Sequence, residues 1–396
     1  MTNICIDCRY IGPRPSGIAE VSQALVDFLP ALAPDLYFTL LRHPAQASRL
    51  SAAANVTEIV VPHPANGPAT MWWLPRIVNL AKVDLFHAPF NILPAGLKMA
   101  TVTTIHDIMW LTHPRWCNDK PFGMVERAFY THGIKRALRQ SDAIATVSAA
   151  SRKEIVALAP TKLSPRTFVT RSGVSPQFKP SHAPQAVLKS LGIAPGNRFI
   201  LTVGQYAPYK NQEGAIRAFA QAFPTGCVPE PNQAPTSTSA TPCVEGREMH
   251  LILVQRQGDG ARHLLALAAQ LGLTGYVHIL AEVGRSELIH LYSAATALLH
   301  PSLCEGFGNP LAEAMACGCP VITSNLSAMP EVTGGAALLI DPSDPQSGGG
   351  ALKKLACDPN LAAHLRAKGL QRAASLSWNQ FAADNLAVYR HVLATK

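Results

Sequence analysis

Two glutamates, Glu305 and Glu313, flank a glycine-rich turn in the stretch EGFGNPLAE. The preceding ALLHP is a short apolar strand and the following LAEAMAC has helical spacing, so the turn is expected to join a strand to a helix. Gly306 and Gly308 allow the backbone to approach a ligand and to adopt conformations closed to other residues. The turn is therefore a candidate ligand-binding loop.

The helix that follows this turn is expected to carry an anion site at its first residues. Pro310 fits the first helical position, where its missing N–H group is no loss. The N–H groups of Asn309 and Leu311 are then expected to be free and, with the helix dipole, to suit a diphosphate. Carboxylates accept hydrogen bonds from vicinal hydroxyls, so Glu305 and Glu313 suit the two ends of a sugar–diphosphate–ribose ligand. For either glutamate alone, a charge that complements the helix dipole is the simpler explanation.

Short apolar strands alternate with helical patterns along almost the whole chain, which predicts an α/β fold with doubly wound parallel sheets. A polar, proline-containing stretch at 175–184 divides the pattern. The predicted domains are 1–178 and 179–376, with 377–396 as a terminal helix that packs back on the first domain. Ligands of such sheets collect at the carboxyl ends of the strands, so a cleft between the domains is the expected site. The predicted strands are NICIDC, LYFTLL, DLFHA, ATVTTIH, AIATVS, TFVTRSGV, FILTVG, MHLILV, YVHILA, ALLHP and PVITS.

Residues 224–247 interrupt this alternation, because Pro, Thr, Ser and Asn dominate them and no periodicity is present. The composition predicts a surface insertion without a role in the site. A bond between Cys227 and Cys243 at its two ends is left open. Elsewhere the C-x-x-C pair Cys5 and Cys8 lies in an apolar strand, which indicates buried thiols in a reducing compartment and no metal.

The composition is that of a globular protein large enough for two domains, with 396 residues, 48% of them hydrophobic. The net charge of +9 is dispersed, which fits a mildly basic surface or attraction to phosphates or an anionic leaflet. No basic helix or aromatic RNA-binding motif is present, so nucleic acid is not expected as a partner. Neither a signal peptide nor a membrane-spanning run is apparent, so the expected location is the cytoplasm.

The stretch EGFGNPLAEAMACGCPVITSNLSAMPEV resembles the E-x7-E signature of retaining GT-B glycosyltransferases of family four, which include many bacterial mannosyl- and glucosyltransferases. FILTVGQYAPYKNQEGAIRAF resembles their donor-phosphate segment, in which a glycine-ended strand precedes a Lys-Asn pair. VDLFHAPFNILP, TVTTIHD, SDAIATVSAASRKEI and IDCRYIGPRPSGIAE are similar to their N-terminal domain. The resemblance covers nearly the whole chain except 224–247. It implies the GT-B architecture, two Rossmann-like domains facing each other across a cleft.

The resemblance also implies roles for individual residues. Glu305 would contact donor-sugar hydroxyls near the reacting carbon, Glu313 would bind the ribose, and Lys210 would neutralise the leaving diphosphate. His106, followed by Asp107, would line the acceptor side as a neutral imidazole, although a satisfied core His–Asp pair is the alternative. The remaining donor-binding residues implied are Gly17, Gly204, Gln205, Val283, Phe307, Gly308, Asn309 and Leu311. His87 and His300 are interpreted as packed strand-end residues and left out of the site.

Four residues, in three segments, depart from the family pattern. Gln205 stands where arginine is frequent, so one phosphate cation is missing. Ala19 and Glu20 replace a glycine and a cation of the glycine loop, and Ser172 replaces an asparagine before the linker. These changes bear on donor affinity and on the acceptor, and they leave the expected reacting centre intact.

The implied function is retaining transfer of a mannose- or glucose-type hexose from a GDP- or UDP-sugar to a hydroxyl of a glycan or lipid-linked glycan. Such a reaction belongs to cell-surface polysaccharide or lipopolysaccharide synthesis, at or near the inner face of the cell membrane. No cofactor or metal is expected if Lys210 and the helix start carry the leaving-group charge. A sugar-nucleotide epimerase or hydrolase, which would turn over donor alone, is one alternative. An inactive nucleotide-binding scaffold is the other, and Gln205, Ala19 and Glu20 favour it.

Overall fold

The chain folds into two compact units, Met1–Gly173 with Ser377–Lys396, and Val174–Leu376. The domain limit expected at residue 178 thus lies inside the second unit. Most of the predicted insertion at 224–247, including Cys227 and Cys243, falls outside the described part of the chain. Of the helices that are described, none is both long and apolar enough to span a membrane. The computed structural model describes residues 2–12, 16–118, 123–181, 188, 189, 191, 193, 194, 196–226, 228, 248–281 and 283–396.

The described strands of the first unit form a parallel sheet, and each of its pairs is parallel. They are β1 (Asn3–Asp7), β2 (Tyr37–Arg42), β3 (Val56–Val60), β4 (Leu85–Ala88), β5 (Ala100–Thr104), β6 (Ala143–Thr146) and β7 (Thr167–Val169). Their order is β3-β2-β1-β4-β5-β6-β7. The six strands predicted here are confirmed, and β3 is an addition at the sheet edge.

Helices cover both faces of this sheet, as in other doubly wound folds. The described α-helices are Gly17–Leu32, Pro68–Ile77, Met109–Thr112, Pro114–Cys117, Met124–Gln140, Ala149–Ala157, Pro160–Leu163 and Trp378–Thr395. Ser16 and Ser377 begin the first and last of these by accepting hydrogen bonds from backbone N–H groups. Phe381 and Tyr389 of the terminal helix are buried in the same hydrophobic core as Leu25.

The second unit repeats this design with another parallel sheet. Its described strands are β8 (Arg198–Val203), β9 (Met249–Val254), β10 (Val277–Leu280), β11 (Ala297–His300), β12 (Val321–Ser324) and β13 (Ala337–Ile340). Their order is β10-β9-β8-β11-β12-β13. The five predicted strands are confirmed, and β13 is an unpredicted edge strand. The described α-helices are Gln212–Ala222, Asp259–Gln270, Arg285–Ala294, Asn309–Ala316, Met329–Thr333, Pro345–Cys357 and Pro359–Ala374.

The strand order of the second sheet defines where its ligand site should lie. The chain runs outward from β8 through β9 to β10 and then returns to the other side of β8 with β11. The loops that follow β8 and β11 therefore diverge at the carboxyl edge of the sheet. This divergence is the topological switch point at which doubly wound sheets bind ligands.

The prediction that Cys5 and Cys8 are buried thiols is confirmed. Cys5 and Cys8 are buried free thiols, and burial raises the pKa of each well above its usual value. Cys317 and Cys319 are also buried and free. Burial raises the pKa of both thiols to about 12, so neither is a thiolate near neutral pH.

Candidate active site

The loop after β8 delivers a lysine to the switch point. Gly204 has φ +146, a conformation that residues with side chains rarely adopt. A Cβ atom there would lie 3.6 Å from Cδ of Lys210, an ordinary van der Waals contact, so the backbone conformation and not the available space is what requires glycine. The turn Pro208–Lys210 then ends the loop at the lysine.

Asn211 links this loop by hydrogen bonds to the segments that follow β11 and β13. Its backbone is left-handed, with φ 52, and it immediately precedes the helix Gln212–Ala222. Its side-chain amide donates to the carbonyl oxygens of Pro301 (3.2 Å) and Pro342 (2.8 Å). The Leu303 N–H group donates to the Tyr209 carbonyl oxygen at 2.7 Å. These bonds hold the loops after β8 and β11 together.

Lys210 and Glu305 meet as an ion pair in this arrangement. Lys210 Nζ lies 2.6 Å from Glu305 Oε1, and both side chains are largely buried. The Ser302 hydroxyl donates to the same oxygen at 2.9 Å, and His300 Nε2 lies 3.1 Å from it. Ser302 Oγ is also 3.1 Å from His300 Nε2. One carboxylate oxygen is thus surrounded by an ammonium, a hydroxyl and an imidazole.

These neighbours keep Glu305 ionised. Burial of the carboxyl favours its neutral form, but the charge of Lys210 and the hydrogen bond from His300 outweigh burial. The pKa of Glu305 is lowered to about 2. The group is therefore a charged hydrogen-bond acceptor near neutral pH and is unsuited to donating a proton.

Ser327 fixes the backbone of the same glutamate. The serine has φ 53, an uncommon conformation for a residue with a side chain. Its hydroxyl donates to the Glu305 carbonyl oxygen at 2.8 Å and lies 3.3 Å from the Glu305 N–H group. Strained conformations of this kind cluster at functional sites. The position of Glu305 is therefore determined at both its side chain and its backbone.

The helix Asn309–Ala316 begins directly after this turn, but its first N–H groups differ from expectation. Gly308 has φ +92, and the Leu311 N–H group donates to the Gly308 carbonyl oxygen at 2.9 Å. The prediction of a free N–H group on Leu311 is therefore wrong, because the turn closes on itself as a tight hydrogen-bonded loop. Pro310 is the second helical residue, since Asn309 is the first. Phe307 and Leu311 are buried and anchor the turn in the core.

Glu313 lies further along this helix and is held by a buried phenol. The Tyr292 hydroxyl donates to Glu313 Oε2 at 2.8 Å, and Tyr292 has no exposed surface. Burial and the Glu313 charge raise the pKa of Tyr292 well above its usual value. The phenol therefore remains a hydrogen-bond donor that orients one carboxylate oxygen of Glu313.

Two further residues that the sequence analysis assigned to the donor lie on loops at the same edge of the second sheet. Gln205, which follows Gly204, accepts a hydrogen bond at its Oε1 atom from the Arg256 N–H group (3.1 Å). The residue that replaces the frequent arginine thus joins the loops after β8 and β9. Val283 is half-buried in the loop between β10 and the helix Arg285–Ala294.

The residues assigned to the acceptor side lie in the first unit, after β5. His106 Nε2 lies 3.0 Å from the Pro89 carbonyl oxygen, which can only accept, so Nε2 carries the proton. Burial lowers the pKa of His106, although the Pro89 bond and the Asp107 charge oppose this shift. The Asp107 carboxylate accepts from the Met109 N–H group at 2.9 Å. His106 is therefore neutral near pH 7, with Nδ1 as its accepting nitrogen.

Glu154 adds a titratable group on this side. Burial and then the Asp107 charge raise its pKa above the usual value. Ser151, one turn earlier on the helix Ala149–Ala157, donates to the His106 carbonyl oxygen at 2.9 Å. Gly17, assigned to the donor loop, is the first residue of the helix Gly17–Leu32. Within the described chain, no group of three or more His, Cys, Asp or Glu residues is arranged to hold a metal ion.

Sequence reasoning missed four residues that support the two glutamates, namely His300, Ser302, Ser327 and Tyr292. Its exclusion of His300 conflicts with the short contact to Glu305. The signal available was spacing, because His300 ends a buried strand, Ser302 follows it, and both precede Glu305 by a few residues. The interpretation of His87 as a packed residue is confirmed by its complete burial between Tyr389 and Thr104.

The chain is similar to known proteins both in sequence and in fold. Residues 185–372 match the family described as Glycosyl transferases group 1. The O-antigen chain mannosyltransferase B of Escherichia coli is 29% identical over 309 residues, which are 77% of this chain and 74% of that protein. The serotype-specific mannosyltransferase WbdA of Escherichia coli is 28% identical over 356 residues, 88% of this chain but 39% of that protein. The sucrose-phosphate synthase of Thermosynechococcus elongatus has a TM-score of 0.70 at 20% identity, with both chains fully covered.

The family match falls inside the second unit, which carries Lys210, Glu305 and Glu313. The likeness to sucrose-phosphate synthase concerns the fold, which has two parallel-sheet domains. The domain of residues 185–372 is therefore a group 1 glycosyltransferase domain, and the two parallel sheets of the chain are those of the GT-B fold.

Proposed function

We propose that this chain transfers a hexose, most simply mannose, from a nucleotide-diphosphate sugar to a hydroxyl of a glycan or lipid-linked glycan, with retention of anomeric configuration. The similarity to two Escherichia coli mannosyltransferases, one of them an O-antigen chain enzyme, supports mannose and lipopolysaccharide synthesis. The observation that carries the proposal is the buried Lys210–Glu305 pair at the switch point of the group 1 domain. This pair supports the proposal because a carboxylate can accept from sugar hydroxyls and the neighbouring ammonium can neutralise a phosphate.

When the donor binds, the Lys210–Glu305 ion pair separates, and each side chain contacts a different part of the ligand. Lys210 turns from Glu305 toward the leaving diphosphate, where it offsets the negative charge that grows as the glycosidic bond breaks. Ser302 and His300 still donate to the Glu305 carboxylate, so Glu305 stays charged and in position for the sugar hydroxyls. The helix Asn309–Ala316 adds its dipole near the diphosphate. Glu313, oriented by Tyr292, accepts from the ribose.

The chemical step exchanges one bond at the anomeric carbon for another. The bond from this carbon to the phosphate oxygen breaks, and its electron pair leaves with the diphosphate. The acceptor oxygen forms a bond on the same face of the sugar and passes its proton to the departing phosphate oxygen. Neutral His106 would orient the acceptor hydroxyl through Nδ1. No metal takes part in this proposal, because Lys210 and the helix dipole supply the positive charge.

The test is a panel of GDP- and UDP-linked mannose and glucose donors, each with and without membrane glycolipid acceptors, in buffer containing a chelator. Transfer that requires the acceptor, with an α-linked product by NMR from an α-linked donor, is the expected result. Fast turnover of donor alone would instead favour an epimerase or hydrolase. Nucleotide binding without turnover of any donor would favour the scaffold. Glu248→Gln is a matched control for Glu305→Gln. Glu248 directly precedes the amino end of β9, away from the carboxyl edge of the sheet, and it accepts a hydrogen bond from Asn197.

A further inference from the structure

One helix of the first unit presents large apolar side chains to solvent. On the helix Pro68–Ile77, Trp72, Trp73 and Ile77 are exposed, Trp73 by 48% of its surface. Arg76 is exposed beside them, and no acidic residue occurs on this helix. Single exposed apolar residues are ordinary, but contiguous ones mark an interaction surface.

The neighbouring helix Met124–Gln140 extends this surface. Met124 and Val125 in its first turn are exposed by 67% and 80%. Its half-buried Phe129 forms an edge contact with Trp72, with ring centroids 5.9 Å apart. The two helices therefore share one surface, here called the aromatic face, made of Trp72, Trp73, Ile77, Met124 and Val125.

Positive charge accompanies the aromatic face. Four Lys and Arg residues lie on the helix Met124–Gln140, against the single acid Glu126. Lys135 and Arg139 are among its exposed side chains. Each cation near an anionic bilayer surface contributes on the order of 1 kcal/mol of attraction. The charge therefore selects an anionic partner.

The aromatic face fits a lipid bilayer better than a second copy of the chain. Paired tryptophans suit the headgroup layer, where the rings meet lipid and the indole N–H groups meet water. Arginine and lysine extend from such a surface to lipid phosphates. A second copy would present the same cations of the helix Met124–Gln140, and these like charges would repel each other.

The aromatic face also lies near the acceptor-side residues of the same unit. Tyr130, on the helix Met124–Gln140, stacks on Trp110 with ring centroids 4.5 Å apart. Trp110 belongs to the short helix Met109–Thr112, whose first N–H group donates to Asp107. A bilayer on the aromatic face would thus adjoin the segment that carries His106.

We propose that the aromatic face of the first unit docks on an anionic lipid bilayer, with Trp72 and Trp73 in the headgroup layer and Lys135 and Arg139 against lipid phosphates. The docking deepens the proposed function by bringing the unit to a lipid-linked acceptor. It is separable from that function, because binding to a bilayer can be measured without a donor.

The test is cosedimentation of the full chain with vesicles of phosphatidylglycerol and phosphatidylethanolamine, compared with vesicles of phosphatidylcholine. The parent should bind the anionic vesicles, and added salt should weaken binding. The Trp72→Ala/Trp73→Ala variant should bind at least about tenfold more weakly, which corresponds to about 1.4 kcal/mol. Leu265→Ala, which removes an exposed leucine from the second unit, should bind like the parent.

Several outcomes would overturn the proposal: no vesicle binding by the parent, equal binding to both lipid mixtures, or parent-like binding by the double variant at an unchanged melting temperature. A dimer of the parent that the double variant dissolves would assign the aromatic face to self-association. Transfer to a water-soluble acceptor fragment without vesicles should be equal in parent and double variant. Vesicle binding without transfer to any acceptor would reject the proposed function and keep the docking surface.

Discussion

At the scale of single residues, the notable feature is the concentration of donors on one oxygen of Glu305. Lys210, Ser302 and His300 all lie within 3.1 Å of Oε1. Any one of them would hold the carboxylate, so the redundancy has a functional explanation. If Lys210 leaves for the diphosphate, two donors remain, and the glutamate does not have to reorganise during the reaction.

Glu305→Gln keeps the shape of the side chain and removes its charge. We expect transfer to fall by about a hundredfold or more, because the amide accepts sugar hydroxyl bonds weakly and leaves Lys210 without its ionised partner. Steady-state rates with the best donor measure the effect, and Glu248→Gln serves as the control. A folded Glu305→Gln protein with the parent rate would remove Glu305 from the reacting centre.

Lys210→Ala should lower the single-turnover rate more than the affinity for donor, by about 10²–10³, because the charge it opposes grows during bond cleavage. The change also removes the main electrostatic cause of the low pKa of Glu305, so that pKa should rise from about 2. An acid limb in the pH–rate profile should move upward accordingly. Gln205→Arg is the reciprocal variant and should tighten nucleoside-diphosphate binding. A Lys210→Ala rate equal to the parent, measured with chelator present, contradicts the assignment.

Ser302→Ala tests whether the hydrogen bond from the Ser302 hydroxyl to Glu305 contributes to the rate of transfer. Loss of one hydrogen bond to a charged group corresponds to about 1.5–3 kcal/mol, or roughly a tenfold to hundredfold fall in rate. Ser302→Thr keeps the hydroxyl and should recover much of the rate. If both variants lose activity equally while their melting temperatures are unchanged, packing around Ser302 rather than its hydroxyl bond to Glu305 is what counts.

At the scale of elements, the helix Pro345–Cys357 forms despite three consecutive glycines near its start. Asp344 caps it by accepting from the N–H groups of Gln346 and Ser347. Gly348 and Gly349 are buried against the helix Gln212–Ala222, where a Cβ atom on either would come within 2.7 Å of a neighbouring side chain. The glycines therefore permit a close helix contact that offsets their poor helical propensity.

This contact gives opposite expectations for two neighbouring substitutions. Gly348→Ala should destabilise the domain by about 1–3 kcal/mol, because the new methyl group meets Ala218. Gly350→Ala should stabilise it by about 0.5–1 kcal/mol, since a Cβ atom there meets nothing and the unfolded chain loses freedom. Urea unfolding of both variants measures the difference. Equal changes of the same sign would show that the close contact does not form.

At the scale of the whole molecule, one buried and one half-buried histidine link stability to pH. His87 is enclosed by Tyr389 of the terminal helix (2.6 Å) and Thr104 (2.9 Å). Burial, and then the charge of His106, lowers the pKa of His87 to about 3. Burial likewise lowers the pKa of His278 in the second unit to about 4. The unfolded chain therefore binds protons at these positions at a higher pH than the folded chain does.

The sign of the effect follows from this difference. As pH falls below about 6.5, His87 becomes protonated in the unfolded state but stays neutral in the folded state. The free energy of unfolding should therefore fall by about 1.4 kcal/mol per pH unit because of this group. Above about 6.5 the group contributes no slope. His87→Gln should make the decline between pH 6.5 and 4 shallower, whatever its effect at pH 7. Thermal unfolding across that range measures both slopes, and equal slopes would exclude His87 as the source.

Sequence alone determined the repeating pattern of the chain, because strands buried on both faces must be nearly continuous apolar runs. The interior strands were all visible in that way. The edge strand β3 was not, since its sequence VTEIV mixes polar and apolar residues and its pairing stabilises it more than its composition does. The edge strand β13 has the sequence ALLI, and so short an apolar run does not by itself distinguish a strand from a piece of helix. The helix Pro345–Cys357 was also missed, because its glycines argue against a helix until the packing partner is known.

The glycine turn and its two glutamates were likewise evident from sequence, because local conformational needs and residue types are local properties. Only the tertiary structure decided that Lys210 meets Glu305, 95 residues away in the chain. That contact depends on β11 returning beside β8, a pairing set by the packing of the whole sheet. His300 reaches Glu305 within the same strand-to-helix segment, five residues along the chain. Its residue type and position alone do not show whether a strand-end histidine packs in the core or bonds to a carboxylate. Sequence therefore determined which chemical groups are available, and the fold decided which of these groups come into contact.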